Sequence, residues 1–418
     1  MNKRIITGIC AAFMAFPILA QVSTTLSPYS QYGLGALAEQ SQGFSRGMGG
    51  LGIGLRGGRF VNTQNPASYS AVDSLTMLID LGVTAQKTNF KEGSHRLNGN
   101  TASFDYAVAS FRLLPNMGVA IGILPFTNIG YSYEASLNSS TTEGHDGEGG
   151  LSQVLLGVGW QFAKHFSAGV NFSYLWGDYL KTADVTSTNT YTNTMLRSYT
   201  ATFSSYKMDI GLQWQHNLNK NDLLTLGAIV GVGHKLGADA EVQTASSNTQ
   251  TSVVNTSDTI SVSNAFSLPW SFGMGVTWLH KNSLLLGVDY SLQKWSSLDY
   301  PQYTAKGYAM TSGYYRDRSK VVVGADWVPN PVGRKLYQRV HYRMGVSYAT
   351  PYYNIKGDQG PKEFSVSAGF GVPIYRSTLN VSGQWTRNAA SGYITENTFR
   401  INIGLTFNER WFAKWKVD

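Results

Sequence analysis

The feature that most constrains the fold is a two-residue alternation of apolar and polar side chains that recurs along most of the chain. Residues 399–407 show it clearly, with one apolar face and one polar or small face: Phe399, Ile401, Ile403, Leu405 and Phe407 against Arg400, Asn402, Gly404 and Thr406. This period is that of a β-strand, and a tilted strand of about 9–11 residues crosses a membrane. Fourteen such segments begin near residues 75, 102, 117, 151, 166, 206, 223, 267, 284, 319, 340, 363, 377 and 397. They predict an all-β protein, a transmembrane antiparallel up-and-down β-barrel of about fourteen strands.

The connections between these segments fall into two classes. Even-numbered segments are mostly followed by tight turns such as 114–116, 163–165 and 280–282. Odd-numbered segments are followed by long loops rich in Ser, Thr, Asn and Gly, at about 87–100, 135–150, 180–200, 237–264, 295–316, 351–361 and 387–395. Short periplasmic turns and long outer loops are typical of outer-membrane barrels. The pattern therefore predicts a bacterial outer-membrane location with both termini in the periplasm.

Composition supports a barrel over a soluble enzyme or a helical membrane protein. Aromatic residues make up 13 % of the chain and charged residues only 14 %, against roughly 25 % charged residues in soluble domains. Mean hydropathy is −0.16, which is too polar for a bundle of membrane helices. Seven tryptophans near predicted strand ends suit interfacial girdles: Trp160, Trp176, Trp214, Trp278, Trp295, Trp327 and Trp385. The net charge of +8 comes with no basic run, so we expect no nucleic-acid partner.

The N-terminus has the pattern of a cleavable signal peptide. Lys3 and Arg4 precede an apolar run, and Ala20 provides a small residue at the cleavage site. Cys10, the only cysteine, follows Ile9, which does not suit a lipoprotein site. The predicted domains are a signal peptide (1–20), an N-terminal plug or hatch (21–74), the barrel (75–408) and a basic periplasmic tail (409–418).

Residues 21–74 lack the strand pattern. They contain the glycine-rich stretch 43–58 and also apolar residues such as Phe44, Met48 and Leu51. A solvated periplasmic linker is the alternative, but linkers are poor in apolar residues. The sequence thus favours a plug folded into the barrel lumen.

In these features the chain resembles the FadL family of outer-membrane transporters for long-chain fatty acids and other hydrophobic compounds. The resemblance rests on the glycine-rich N-terminal segment, on Asn65-Pro66-Ala67-Ser68 before the first strand, and on the fourteen strands. It implies a hatch that closes the barrel, and an apolar ligand path that leaves through a gap in the wall at a kinked third strand.

The third segment contains a candidate for that kink. Pro125, followed by Phe126, interrupts an alternating run, and proline cannot donate to a strand ladder. Pro125 either marks a lateral opening or begins an extracellular extension. The chain does not end on an aromatic residue that closes the last strand. For this reason a relative of the same fold that serves secretion, the PorV type, stays in consideration.

No enzyme site emerges from the sequence. The seven histidines form no metal-spaced pair, so we expect no catalysis, no metal and no cofactor. The predicted lumen charges are Asp80, Lys207, Asp209, Asp289, Asp326, Arg343 and Arg400. They either pair with one another and with the plug, or some arginines hold a ligand carboxylate bidentately. The candidates for that second role are Arg46, Arg56, Arg59 and Arg343.

The function that fits best is passive uptake of hydrophobic or amphipathic small molecules such as long-chain fatty acids. Expected partners are outer-membrane lipid and lipopolysaccharide, the ligand, and the barrel-assembly machinery during biogenesis, with a monomer as the working state. The alternative is a structural or secretion-accessory barrel that binds proteins and moves no solute. A general diffusion porin is a third possibility, which a stable plug opposes.

Overall fold

The structure is a computed structural model, and it describes residues 27–189, 191–248, 250–251, 253–256, 259–305 and 307–410. The predicted signal peptide and most of the predicted basic tail, residues 411–418, lie outside the described residues.

The described chain is built around one closed antiparallel β-barrel. Its fourteen strands are β1 (Thr76–Glu92), β2 (His95–Leu114), β3 (Met117–Asn138), β4 (Thr141–Ala163), β5 (Phe166–Ser187), β6 (Thr194–Asn217), β7 (Asp222–Gly231), β8 (Ser271–His280), β9 (Leu284–Gln293), β10 (Arg318–Trp327), β11 (His341–Ala349), β12 (Lys362–Ile374), β13 (Ser377–Ala389) and β14 (Thr395–Arg410). Each strand pairs with the next, and β14 closes the ring on β1 in a ladder from Thr76↔Arg410 to Lys91↔Thr395. The predicted fold class and strand number are confirmed.

The remaining elements are short. Ten small strands are Ala36–Leu37, His234–Lys235, Ala240–Ser247, Val254–Thr256, Ile260–Val262, Ser267–Leu268, Tyr300–Thr304, Gly307–Thr311, Asn354–Ile355 and Asp358–Gln359. The helical turns are Pro28–Gln31, Gly43–Arg46, Pro66–Ala71, Trp295–Ser297 and Leu336–Arg339. None of the described helices has the length and apolar character needed to span a bilayer.

The alternation in sequence becomes two faces of the wall. On β14, Phe399, Ile401 and Ile403 are 61 %, 58 % and 45 % exposed, while Asn402 and Thr406 are buried. The apolar side chains therefore point outwards, where lipid would cover them, and the polar ones point into the lumen.

Three strands begin well before their predicted starts. Strands β2, β4 and β6 start at residues 95, 141 and 194 rather than near 102, 151 and 206. Parts of the predicted loops at about 87–100, 135–150 and 180–200 are therefore strand. The apolar alternation stops where a strand leaves the bilayer, because both faces then meet water, but the backbone ladder continues. Hydrophobic periodicity thus marks the membrane-crossing part of a strand and misses its polar extension.

The N-terminal segment fills the lumen, as the predicted plug should. Met48, Leu51, Leu55 and Tyr69 are almost completely buried. Two hydrophobic clusters join plug side chains to the wall, one around Tyr69 and Val108, the other around Met48 and Val322.

Candidate functional site

The plug backbone lies directly against a belt of inward-facing glycines in the wall. A Cβ added at any of them would meet plug atoms closer than van der Waals contact allows: Gly118, Gly157, Gly159, Gly169, Gly211, Gly227, Gly275, Gly287, Gly324, Gly345 and Gly404. In sequence these glycines precede an apolar residue, as in Gly211-Leu212 and Gly345-Val346. This repeated pair is a signal that the sequence analysis did not use. It shows that the wall is shaped to receive the plug.

The glycine belt gives a prediction that can be checked on stability. Gly118→Ala should lower the free energy of unfolding by about 1–3 kcal/mol, because its methyl group would overlap the Tyr69 carbonyl in a packed interior. The measurement is thermal unfolding of purified protein in detergent. Gly383→Ala is the matched control, since its Cβ position meets open space. Equal losses in the two variants would contradict a belt that seats the plug.

Arg46 is the first of two charged anchors of the plug. It lies on the helical turn Gly43–Arg46, and its Nη1 is 2.5 Å from Asp105 Oδ2. The same nitrogen donates to Thr84 Oγ1 at 2.9 Å and to Asn402 Oδ1 at 3.1 Å. This network ties the plug to β1, β2 and β14.

Asp289 on β9 is the second anchor. Its Oδ2 accepts the backbone N–H groups of Gly52 at 2.6 Å and Ile53 at 2.8 Å, and Oδ1 accepts that of Gly54 at 3.3 Å. Three consecutive peptide groups of the plug thus depend on one carboxyl group, which is itself buried.

Arg343 on β11 makes its hydrogen bonds to residues of the barrel wall. Its Nε donates to Asp326 Oδ1 at 3.0 Å and its Nη1 donates to Asn380 Oδ1 at 2.7 Å. The guanidinium also lies 4.0 Å from the centre of the Phe44 ring, which comes from the plug. Arg343 therefore makes the wall and plug pairing that the sequence analysis gave as one of its two roles.

The residues that carried the family resemblance lie at the inner wall. Asn65 caps the turn Pro66–Ala71, since its Oδ1 accepts the N–H of Ala67 at 3.1 Å. Its Nδ2 donates to the Ile53 carbonyl at 2.8 Å, and Pro66 packs on three wall glycines. Pro66 at the start of the turn is well suited to that position. These three residues, Asn65, Pro66 and Ala67, fix the plug in the barrel.

The two remaining arginine candidates differ in their surroundings. Arg56 donates to the Ala67 carbonyl at 2.9 Å and to Ser70 Oγ at 3.1 Å. Burial lowers the pKa of Arg56 to about 10, so it stays charged at neutral pH while it holds the turn. Arg59 is 85 % exposed and lies 3.6 Å from Asp73, and it does not line the lumen cavity described below.

The wall has a gap between β2 and β3. Their pairing ends at Ala107↔Ile123, and no described residue of β3 beyond Ile123 pairs with β2. The break lies two residues before Pro125, and β3 has a bulge between Pro125 and Thr127 where it pairs with β4. Proline has no backbone N–H to donate to a strand ladder, so it is well suited to a position next to such a break.

Plug residues 36–40, here called the gate segment, occupy the free edge of β3 at this gap. Ala36–Leu37 pairs antiparallel with β3 in the register Ala36↔Asn128 and Leu37↔Thr127. The Ala38 N–H then donates to the Phe126 carbonyl at 3.0 Å. The gate segment thus replaces β2 as the neighbour of β3.

Side chains of the gate segment reinforce this contact. Gln40 Nε2 donates to the Pro125 carbonyl at 2.9 Å, and Gln40 Oε1 accepts from Gln153 Nε2 on β4 at 2.6 Å. Pro125 and Phe126 therefore meet the plug through their carbonyl oxygens.

Glu39 of the gate segment points towards a group of cations. Its Oε2 lies 3.5 Å from Lys320 Nζ, with the two side chains 28 % and 18 % exposed. Burial alone would raise the pKa of Glu39, but the charges of Lys320, Arg46 and Arg400 lower it to about 2. Glu39 is thus a carboxylate at neutral pH.

A cavity of about 1250 Å³ lies beside the gate segment. Both edges of the wall gap line it, β2 through Phe104 and β3 through Pro125. Its lining mixes apolar side chains with charged ones: Arg46, Lys207, Arg318, Lys320 and Arg400, with Glu39, Asp105, Asp146, Glu148, Asp209, Glu363 and Glu396. Of the nine candidate site residues, Arg46, Pro125 and Phe126 line this cavity.

Aromatic side chains cover the plug at the end of the barrel opposite the short turns. Tyr314 Oη accepts the Gly33 N–H at 2.9 Å, and Tyr352 Oη donates to the Gly35 carbonyl. Lys181, almost fully buried, donates to the Gly33 carbonyl at 2.8 Å. The cluster includes Tyr29, Tyr131, Tyr179, Phe203, Phe266, Trp295, Tyr308, Tyr315 and Tyr353. The sequence did not reveal this cluster, because its aromatics come from the plug, from the ends of barrel strands and from loops that are distant in sequence.

Solved structures confirm the FadL-like fold. The toluene transporter TbuX of Ralstonia pickettii has a TM-score of 0.62 at 14 % identity, covering 90 % of this chain and 99 % of that one. The toluene transporter TodX of Pseudomonas putida has a TM-score of 0.61 at 14 % identity, covering 91 % and 100 %. A FadL homologue of Pseudomonas aeruginosa has a TM-score of 0.61 at 10 % identity, covering 90 % and 99 %. No curated protein matches the sequence. A family model described as BamG matches residues 1–418.

Proposed function

The chain belongs to the BamG family, and we propose that it is an outer-membrane channel for passive uptake of hydrophobic or amphipathic small molecules. Long-chain fatty acids and small aromatic hydrocarbons are the substrate classes proposed. The solved structures with a similar fold include proteins described as toluene transporters.

The observation that carries this proposal is the wall gap. The part of β2 that pairs with β3 runs from residue 107 to residue 114, which is eight residues. This is fewer than the roughly 9–11 residues that a membrane-crossing strand uses. The gap therefore opens within the outer part of the bilayer, and the cavity reaches both of its edges. An apolar solute would pass from the cavity into the lipid at this gap, where the gate segment is the only part of the described plug in its way.

The gate segment would control this route. It pairs with residues 126–128 of β3, which β2 leaves unpaired, and a lipid environment strongly disfavours unpaired peptide groups. Uptake would therefore need a transient movement of residues 36–40, with the rest of the plug held by Arg46 and Asp289.

A disulfide across the gate tests the proposal. Leu37 and Thr127 are directly opposed, at a spacing that a disulfide can bridge, and the chain has only one cysteine, Cys10. Oxidised Leu37→Cys/Thr127→Cys should reduce toluene and oleate uptake by cells to the level of empty membranes, and reduction should restore it. The matched control is Ala245→Cys/Thr256→Cys, an opposed pair in a hairpin outside the plug. Uptake that is unaffected by the gate disulfide would refute a route through this gap.

A second candidate function is an accessory barrel that binds proteins. The family name points to the barrel-assembly machinery, and one structural feature suits this role. Residues His95 to Tyr106 of β2 pair only with β1 among the described residues, and an open strand edge can accept a strand from another chain. Two results together would favour this function: a crosslink from Ser103, on that edge, to a barrel-assembly protein, and no uptake of any tested solute by the same cells.

A further inference from the structure

The outward apolar surface of the barrel ends in aromatic side chains at the end opposite the short turns. On β14 the last of them is Phe399, which is 61 % exposed, and the next outward residue towards that end is Asn397. On β13 Trp385 pairs with Phe399, and the next outward residue is the exposed Arg387. Aromatic side chains of this kind mark the membrane interface. The polar residues beyond them therefore lie at the level of the lipid head groups of the outer leaflet.

Five cations lie at this level on strands β12 to β2, which are neighbours in the closed ring. They point away from the lumen, because the positions that alternate with them hold buried residues of the lumen face such as Thr88, Ser365 and Thr386. All five side chains are exposed, and together they are here called the basic collar: Lys87, Lys91, Arg96, Lys362 and Arg387.

No acidic side chain offsets the basic collar on its own face. Glu363 and Glu396 line the lumen cavity, and Glu92 alternates with Lys91 and so lies on the lumen side of β1. Among the residues that the structure describes, none of the five cations forms an ion pair. The remaining outward residues of these strands beyond the aromatics are uncharged: Asn89, Asn98, Asn100, Ala389, Thr395 and Asn397.

Two cations of the basic collar face each other directly. Lys91 and Arg96 are partners in the ladder between β1 and β2, and like charges at opposed positions destabilise a sheet. An anion beside the two side chains removes this repulsion. Since the chain provides no such anion on this face, the arrangement points to an anionic ligand from outside the chain.

The basic collar stops at the wall gap. Beyond the gap, on β3 to β5, the inward positions hold the buried residues Tyr131, Tyr179 and Lys181. The outward positions that alternate with them carry acidic residues: Glu134, Asp146, Glu148, Asp178 and Asp184. A general adaptation to an anionic membrane surface would place cations all round the barrel. Their restriction to one side indicates a binding surface with a defined position.

We propose that the basic collar binds a lipopolysaccharide molecule of the outer leaflet through the phosphate groups of its lipid A. Lysine and arginine bind phosphate through charge-assisted hydrogen bonds, and cations at a membrane surface attract anionic lipid. The acyl chains lie on the apolar wall below, against side chains such as Phe364 and Phe399, which are 40 % and 61 % exposed. The inference goes beyond the proposed function, because this surface faces the membrane and no solute needs to pass through the barrel.

The test is native mass spectrometry of the detergent-purified protein titrated with bisphosphorylated lipid A. Lys87→Gln/Lys362→Gln/Arg387→Gln should weaken binding on the order of 10-fold or more, because each cation near an anionic lipid surface contributes roughly fivefold in affinity. The charge-retaining variant Lys87→Arg/Lys362→Arg/Arg387→Lys should bind lipid A about as well as the parent protein. Parent affinity in the glutamine variant, or equal losses in both variants, would overturn the proposal.

The matched control removes the same number of charges at the other end of the barrel. Lys164, Lys220 and Lys281 are exposed and lie in the short turns. Their combined replacement by glutamine should leave the affinity for lipid A unchanged. A loss as large as that in the basic collar would show that net charge alone attracts the lipid, and the assigned surface would be wrong.

Three further measurements identify the ligand. Dephosphorylated lipid A should bind at least about as weakly as lipid A binds the glutamine variant of the basic collar, whereas equal binding with and without phosphate would contradict the phosphate contact. Phosphatidylglycerol that binds as tightly as lipid A, or inorganic phosphate that displaces lipid A at millimolar concentration, would replace lipopolysaccharide by another source of phosphate. A dimer of the parent protein that the glutamine variant loses, without any change in lipid A binding, would assign the basic collar to contact with the acidic side of a second copy.

Discussion

Replacing Arg343 with leucine should lower the free energy of unfolding by about 3–5 kcal/mol, the range for breaking a buried ion pair. The substitution leaves Asp326 in a buried site without its guanidinium partner, and also removes the bond to Asn380. The contact of the guanidinium with the Phe44 ring is lost as well. The measurement is urea unfolding of the protein refolded into lipid vesicles, followed by tryptophan fluorescence.

Two comparisons show whether the effect comes from the loss of the guanidinium charge, since Asp326 keeps His341 as a partner at 2.7 Å. Arg343→Leu combined with Asp326→Leu should recover most of the loss, because a buried pair can often be exchanged for apolar side chains at little cost. Arg59→Leu, at a side chain that is 85 % exposed, should change stability by less than about 1 kcal/mol. A double variant no more stable than the single one would show that shape at this site matters more than charge pairing.

The barrel could be predicted from the sequence because its cause is local. A strand that faces lipid on one side and a polar lumen on the other must alternate, so each membrane-crossing segment carries its own signal. The early starts of β4 and β6 were missed because Thr141 and Thr194 begin hairpin arms that have no lipid-facing side. Their pairing depends on the neighbouring strand, which periodicity within one segment does not report.

In the candidate site, the sequence was informative only at a residue whose own backbone chemistry restricts how it can pair in a strand. Pro125 indicated an irregularity in the pairing of the third strand without any knowledge of its neighbours, because proline lacks the N–H that a ladder needs. The partners of Arg46 and Arg343 could not be derived, since Asp105 and Asp326 lie on strands whose position in space only the closed barrel defines. From the sequence alone, both ligand binding and ion pairing therefore stayed open for Arg46 and Arg343.

Glu39 was missed for a different reason. It lies in a short polar stretch before the glycine-rich segment, with no periodicity and no motif around it. Its role depends on Lys320, about 280 residues later in the chain, and on the gap that the gate segment covers. Sites of this kind arise when a segment without any hydrophobic periodicity, such as the plug, is enclosed by a barrel wall of alternating strands. An isolated acidic residue in the sequence of a predicted plug is the feature to examine in such chains.

Asp289→Ala should release the central part of the plug and increase the permeability of the outer membrane to hydrophilic solutes. The substitution removes the acceptor of three N–H groups, those of Gly52, Ile53 and Gly54. Leaving a buried donor unsatisfied costs about 1–3 kcal/mol each, so the native plug position should lose at least about 3 kcal/mol. The measurement is the growth inhibition of cells by vancomycin, which an intact outer membrane excludes.

Two variants show whether the increased permeability comes from the lost hydrogen-bond acceptor and whether it is specific to position 289. Asp289→Asn keeps an amide oxygen that can accept part of the three N–H groups, so its sensitivity should lie between wild type and Asp289→Ala. Asp299→Ala, at an exposed aspartate after the turn Trp295–Ser297, should behave as wild type. If Asp289→Ala cells exclude vancomycin as well as wild type while the protein remains folded, Arg46 and the glycine belt suffice to hold the plug, and uptake would then require movement of the gate segment alone.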